Sequence, residues 1–138
     1  MIVCDTSGLF AALDDSQSMH LAARSAVEAD PGPLFLSPFV LAELDYLLAT
    51  RVGWKAESLF LKEVAEGAFR LEPFDSADLQ QAMAIMDSHA DASIGLADAS
   101  VVVLARRHST NRLLTLDQRH FRSLQAKPGE SFVLLPLD

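Results

Sequence analysis

Short aliphatic runs recur along the chain, separated by longer stretches in which apolar side chains return every three or four positions. Ile2-Val3-Cys4, Leu34-Phe35-Leu36, Phe69-Arg70-Leu71-Glu72, Arg112 to Thr115 and Ser131 to Leu134 read as five short strands. Helical periodicity fits residues 7–13, 18–29, 38–51, 55–66, 76–89 and 96–108, with a further short helix over 118–124. The local breakers agree. Asp30-Pro31-Gly32-Pro33 ends one helix, Ser37-Pro38 opens the next with a capping hydroxyl and a first-turn proline, and Gly53 and Gly67 close two others. Strands separated by helices pair in parallel through right-handed crossovers and carry helices on both faces. The expected fold is therefore α/β: a three-layer α/β/α sandwich around a central, mostly parallel sheet of about five strands, built by residues 1–138 as a single domain. In such sheets, functional groups gather beyond the carboxyl ends of the strands.

That rule singles out four acids. Asp5 follows the first strand and Asp117 follows the fourth, and each is also placed to cap the helix after it. Glu43 has Phe39, Val40 and Leu47 as its helical neighbours, which puts a carboxylate inside an apolar arc where an unpaired charge is expensive. Asp98 lies among Ile94, Val101 and Val102 near the start of an apolar helix, where the helix dipole would also favour it. Asp45 falls at the edge of the arc and reads as a surface charge, and Asp91 reads as a cap, with a fifth place among the site acids as its other reading. No basic residue lies within a turn of Asp5, Glu43 or Asp98. Acids converging on one edge cannot all ionise without a cation. A hard, oxygen-rich site of this kind suits Mg2+ or Mn2+, and such ions serve phosphodiester hydrolysis.

Composition changes the picture in one respect. Half of the 138 residues are hydrophobic and 22 % are charged, an ordinary globular balance. One cysteine, Cys4, excludes a disulfide framework and any cysteine-rich zinc module. No apolar run approaches the length of a membrane span, and the absence of a basic leader points to a cytoplasmic domain. The net charge of −8 argues against nucleic acid. Its distribution argues otherwise: residues 1–99 carry 16 acidic and 5 basic side chains, whereas residues 100–127 carry six basic side chains against Asp117 alone. Arg112, Arg119 and Arg122 are thus expected to border the acidic edge.

Other chemistries lack their signatures. The chain has no glycine-rich phosphate loop and no G-x-S-x-G elbow. His20, His89, His108 and His120 show no metal-ligand spacing and read as surface or helix-end residues. Cys4, Met83 and Met86 read as core or interface fillers, and Trp54 as packing a helix corner.

The stretches Ile2-Val3-Cys4-Asp5-Thr6-Ser7-Gly8-Leu9, Ser37-Pro38 through Ala42-Glu43-Leu44-Asp45-Tyr46, Gly95-Leu96-Ala97-Asp98-Ala99-Ser100 and Leu114-Thr115-Leu116-Asp117-Gln118-Arg119-His120-Phe121 resemble, in order, the PIN-domain ribonucleases, and among them the VapC toxins of bacterial toxin–antitoxin pairs. The resemblance implies a Mg2+-dependent endoribonuclease with Asp5, Glu43, Asp98 and Asp117 as its catalytic quartet. Asp5, Asp98 and Asp117 would hold the metal, and Glu43 would position or deprotonate the attacking water. Thr6, Thr115, Arg112 and Arg119 would line the substrate. The resemblance further implies an RNA substrate from the translation machinery, either tRNA or the sarcin–ricin loop of ribosomal RNA, with the 42–53 stretch similar to the sarcin–ricin subgroup. A homodimer and a cognate VapB-type antitoxin are implied as partners. Two other readings stand beside it. An aspartate-nucleophile phosphatase would need a second aspartate where Ser7 stands, and a non-catalytic binding module would not need the intact quartet.

Overall fold

The computed structural model describes residues 1–138. Its element order is β1 (Ile2–Cys4), α1 (Thr6–Leu13), α2 (His20–Ala29), β2 (Leu34–Leu36), α3 (Pro38–Arg51), α4 (Trp54–Ala65), β3 (Arg70–Leu71) and α5 (Ser76–Ser88). A 3-10 turn (Ala90–Ala92), α6 (Leu96–Arg107), β4 (Arg112–Leu114), α7 (Gln118–Phe121), β5 (Gln125–Lys127), β6 (Glu130–Ser131) and β7 (Val133–Leu135) complete it. Five strands form one sheet in the order β3-β2-β1-β4-β7, every pair parallel. This is the expected α/β/α arrangement, with two adjustments at the C-terminal end. The last sheet strand begins at Val133 rather than Ser131, and Gln125–Lys127 and Glu130–Ser131 pair as an antiparallel hairpin that the sequence pattern did not suggest. Only Ala126 of β5 is buried, so three residues gave no apolar alternation to read.

The order places β1 in the centre, and its three residues Ile2, Val3 and Cys4 are fully buried. Continuous apolar character is what a strand covered on both faces requires. Burial pushes the Cys4 thiol up to about 12, so it is an inert core group, as expected. Helix α6 runs under the sheet with Ala99 to Ala105 buried throughout, and α1 packs so closely over β4 that a Cβ on Gly8 would lie 2.4 Å from the Leu114 carbonyl. That approach locks the start of α1, and with it the turn Asp5-Thr6-Ser7, against the end of β4. The Asp5 N–H donates to the Leu114 carbonyl at 2.9 Å, which ties the same two ends together.

One expectation for side-chain burial needs correction, and two are narrowed. Trp54 is 70 % exposed instead of packing a corner, because it opens α4 on the side away from the core. Met83 is 53 % exposed: the buried face of α5 is made by Ala82 and Ile85, with Met86 packed at its margin. His108 ends α6 as one of the expected helix-end histidines, and there its ring stacks on Phe35 at 3.7 Å and meets the buried Glu72 carboxylate. No helix is long and apolar enough to cross a membrane.

Candidate active site

Parallel strands bring all their carboxyl ends to one edge, and four segments deliver acids there. Asp5 occupies the N-cap position of α1, yet its side chain makes no capping bond. Instead its Oδ2 accepts hydrogen bonds from the Thr115 hydroxyl at 2.7 Å and the Ser7 hydroxyl at 3.0 Å. Those two hydroxyls lie 3.2 Å apart, and each also accepts a backbone N–H, Leu116 to Ser7 Oγ at 2.9 Å and Asp117 to Thr115 Oγ1 at 3.0 Å. The two hydroxyls, Thr115 buried and Ser7 half-buried, are thus held in place and Asp5 is oriented by them.

Asp98 sits in the first turn of α6, with Gly95 rather than Asp91 at the N-cap position; Asp91 lies in the preceding 3-10 turn, which corrects its reading as a cap. Asp117 both caps and faces the site. Its Oδ1 accepts the His120 N–H at 3.0 Å, while its Oδ2 lies 3.0 Å from His120 Nδ1. Glu43 departs from expectation. Val40, Leu44 and Leu48 form the buried stripe of α3, and Glu43 flanks that stripe as an exposed residue. Its Oε1 accepts the Thr6 hydroxyl at 2.7 Å, which brings it to the same edge as Asp5. Asp45 is half-buried, not a plain surface charge: one of its oxygens is enclosed without a partner, and its carboxylate raises the pKa of Glu57 on α4.

The electrostatics follow from this crowding. Asp5 is 4 % exposed, and burial pushes its carboxyl up to about 6, with the Asp98 charge adding to the rise against the hydroxyl hydrogen bonds. Asp98 is also raised, first by burial and then by Asp117 and Glu43, while His120 and the Gly95 N–H oppose the shift. No lysine or arginine pairs with any of the four acids. His120 is the one basic side chain paired with these acids, a role that its reading as a surface or helix-end residue missed. Its Nδ1 lies 2.8 Å from Asp98 Oδ2. The signal was the spacing of Asp117 and His120 by three residues on a short helix, which puts both on one side. Ser7, two residues after Asp5, was missed as well.

The donor set fits a divalent cation. Donor atoms of Asp98, Asp117 and His120 all lie within 4.8 Å of one another, and Asp5 adds its charge beside them. His120 Nδ1 is enclosed and makes no hydrogen bond of acceptable geometry despite its two carboxylate neighbours. The three surface cavities are lined by other residues, so the acids form an open ledge. An open ledge accommodates a polymer better than a small molecule, which prefers enclosure.

The expected basic border is thinner than the sequence suggested. Arg112 starts β4 and so stands at the opposite, amino edge of the sheet, paired with Asp30 at 3.2 Å. Arg122 is held by Asp138 at 2.6 Å, Arg106 by the carbonyls of Ala126 and Gln125, and Arg107 by Asp78 and the Pro73 carbonyl. Arg119, exposed on α7 two residues from Asp117, makes no ion pair.

Comparison with known proteins speaks to the family and the fold. The family model described as PIN domain matches residues 2–127. Ribonuclease VapC26 of Mycobacterium tuberculosis (strain ATCC 25618 / H37Rv) is 43 % identical over 135 residues, covering 98 % of this chain and all of the relative. Among solved structures, Mycobacterium tuberculosis VapC20, described as a sarcin–ricin loop cleaving toxin, superimposes with a TM-score of 0.78 at 22 % identity, over 85 % of this chain and 90 % of that one. FitAcB from Neisseria gonorrhoeae gives 0.60 at 23 % identity, over 89 % and 92 % of the two chains. At those identities the two structures speak for the fold.

Proposed function

The chain belongs to the PIN-domain family, and from that premise we propose that it is a metal-dependent endoribonuclease of the VapC toxin type. The observation that carries the reading is the set of carboxylates from Asp5, Glu43, Asp98 and Asp117 on one open edge, unmatched by lysine or arginine. The 43 % identity to a ribonuclease over nearly the whole chain supports the same activity.

Mg2+, or Mn2+ in its place, held by Asp5, Asp98 and Asp117, would supply an activated water and neutralise charge at the scissile phosphate. The chain's own residues prepare that chemistry. Ser7 and Thr115 donate to the same oxygen of Asp5, fixing the carboxylate plane before substrate arrives. Thr6 holds the exposed Glu43 carboxylate at 2.7 Å, and Glu43 takes the proton of the attacking water. In-line attack of the water oxygen on phosphorus would break the bond to the 3′ oxygen and leave a 5′-phosphate, the departing oxygen taking a proton from solvent to become the 3′-hydroxyl. Arg119 contacts a substrate phosphate beside Asp117. Thr6 and Thr115 are buried, which corrects their expected place against substrate: they act through Glu43 and Asp5, to which their hydroxyls donate.

The proposed substrate is structured RNA of the translation machinery, and the 42–53 stretch, from α3 to the cap of α4, favours the sarcin–ricin loop over tRNA through its likeness to that subgroup. A VapB-type antitoxin and a homodimer are the proposed partners, and exposed Tyr46, Trp54 and Leu59 on α3 and α4 give a protein partner apolar surface to cover. Such a substrate places the protein in the cytoplasm. The test is cleavage of a structured RNA with Mg2+, with EDTA, and by Asp5→Ala. Cleavage confined to the first condition is expected; equal cleavage in all three overturns the reading. Mapping the new 5′ ends in cells that express the protein identifies the target.

A further inference from the structure

We propose that His120 is itself a ligand of the cation, completing a site with Asp98 and Asp117 and biasing that site toward Mn2+ over Mg2+. The inference rests on the reading of this edge as a cation site and specifies its chemistry.

Three observations carry it. The first is spacing. His120 Nδ1 stands 2.8 Å from Asp98 Oδ2 and 3.0 Å from Asp117 Oδ2. Adjacent ligands on an octahedral ion with bonds of about 2.1 Å are separated by about 3 Å, so the nitrogen stands at the spacing of a neighbouring ligand from each of the two oxygens, and all three donor atoms lie within 4.8 Å of one another. The second is the failure of the simpler explanation. An imidazole that only neutralised the acids would aim an N–H at one oxygen, yet Nδ1 is enclosed and meets neither oxygen in hydrogen-bond geometry. Two close acceptors and no hydrogen bond describe donors converging on a common point. The third is restraint from both sides. Asp117 Oδ1 accepts the backbone N–H of His120 at 3.0 Å, which fixes the Asp117 carboxylate to the backbone that carries the imidazole, and the neighbouring Phe121 is 1 % exposed and anchors α7 in the core.

The other three histidines are engaged elsewhere. His20 Nδ1 meets the Ala11 carbonyl, His89 Nδ1 the Ile85 carbonyl, and His108 the Phe35 ring and Glu72. A nitrogen signal from a bound ion is therefore attributable to His120. The selectivity follows from ligand chemistry. Mg2+ takes oxygen almost exclusively and keeps its waters, whereas imidazole is a good donor to transition metals, Mn2+ included.

The test measures binding without RNA. Mn2+ and Mg2+ affinities of the full chain are determined by calorimetry for wild type, His120→Ala and His120→Gln, and the Mn2+ complexes are examined by electron-spin-echo spectroscopy for coupling to a 14N nucleus. Thermal melts in EDTA verify that each variant is folded, and the wild-type spectrum is informative without any variant. Expected are a 14N coupling in wild type that both variants lose, and a fall in Mn2+ affinity of about tenfold or more with Mg2+ affinity held within about twofold. Mn2+ bound without nitrogen coupling, or a change shared equally by the two ions, overturns the role of His120 and leaves the nuclease reading standing. A gain in affinity for both ions on removing His120 likewise overturns it, since that marks a competing imidazolium. Wild-type protein that binds neither ion overturns the metal-dependent reading as well.

Discussion

Asp5 and Asp30 stand at opposite edges of the same sheet, each with almost no exposed side chain, and their carboxyl groups are pushed in opposite directions. Burial works to raise Asp30, but the Met1 ammonium at 2.9 Å, the Gly32 N–H at 2.8 Å and Arg112 at 3.2 Å outweigh it and hold the group below the usual carboxylate range. Asp5 receives only hydroxyl and amide donors and feels Asp98 beside it, so burial wins and its carboxyl rises to about 6. The amino edge has its cations built in and is finished as folded. The carboxyl edge holds an uncompensated charge that a ligand must complete. Burial of an acid thus says little by itself; what surrounds it separates a structural clasp from a working site.

The largest effect that tests the contrast is on turnover. Asp5→Asn should remove about three decades of ribonuclease activity, several kcal/mol of transition-state stabilisation, while the metal-free fold stays intact or gains stability at pH 7.5. The mirror change, Asp30→Asn, should leave the cleavage rate nearly untouched and cost about 1–2 kcal/mol of stability, the small size reflecting the half-exposed partners. Single-turnover cleavage assays and thermal melts on both variants decide it. A destabilised Asp5→Asn that retains activity breaks the comparison outright.

A smaller effect appears in the pH dependence of the metal-free protein. The ordinary carboxylate pKa is about 4. Between pH 4 and about pH 6 the unfolded chain has released the Asp5 proton that the folded chain still holds. Folding is therefore favoured by this group below pH 4, and the advantage is lost as pH rises through about 6. Asp30 has the opposite sign: its stabilisation is present above its ordinary pKa and lost as pH falls. Melting wild type and Asp5→Asn in EDTA from pH 4 to 7.5 should show the variant gaining on wild type as pH rises, with roughly 3–5 °C for each kcal/mol. Parallel curves would mean that Asp5 carries no such penalty.

The same contrast explains what was legible in the sequence. Strand order and layering followed from short apolar runs alternating with helical periodicity, because a central strand such as Ile2-Val3-Cys4 must be apolar on both faces. The position of Asp5, Asp98 and Asp117 followed from their place after strands or at a helix start. Glu43 was harder: periodicity put it within the apolar arc, whereas the true stripe is Val40, Leu44 and Leu48 and leaves it at the rim. A quarter-turn error on a helix is enough to exchange those readings. His120 and the Asp30 clasp depend on contacts between residues 22 and 82 positions apart, as in His120 with Asp98 and Arg112 with Asp30. No local pattern encodes such partners. The arginine cluster misled for the same reason, since charge density along a chain does not say which side chains are already engaged.

That last point separates two arginines by edge, and the expected difference is the smallest. Arg119 is exposed beside Asp117 and free of ion pairs, whereas Arg112 is spent on Asp30 at the far edge. Arg119→Ala should weaken binding of a structured RNA and reduce the slope of log K against log salt by about one, the release of a single phosphate contact. Arg112→Ala should leave that slope unchanged and lower the melting temperature instead, because Asp30 loses one of its two cations. The measurement is a salt titration of RNA affinity in Asp5→Asn background, which removes cleavage from both variants. Equal loss of slope would mean that RNA reaches around the sheet to the amino edge, and the division of labour between the two edges would fail. An unchanged slope in Arg119→Ala would place the phosphate contacts on the remaining exposed cations that make no ion pair, of which Lys127 on β5 lies nearest in sequence.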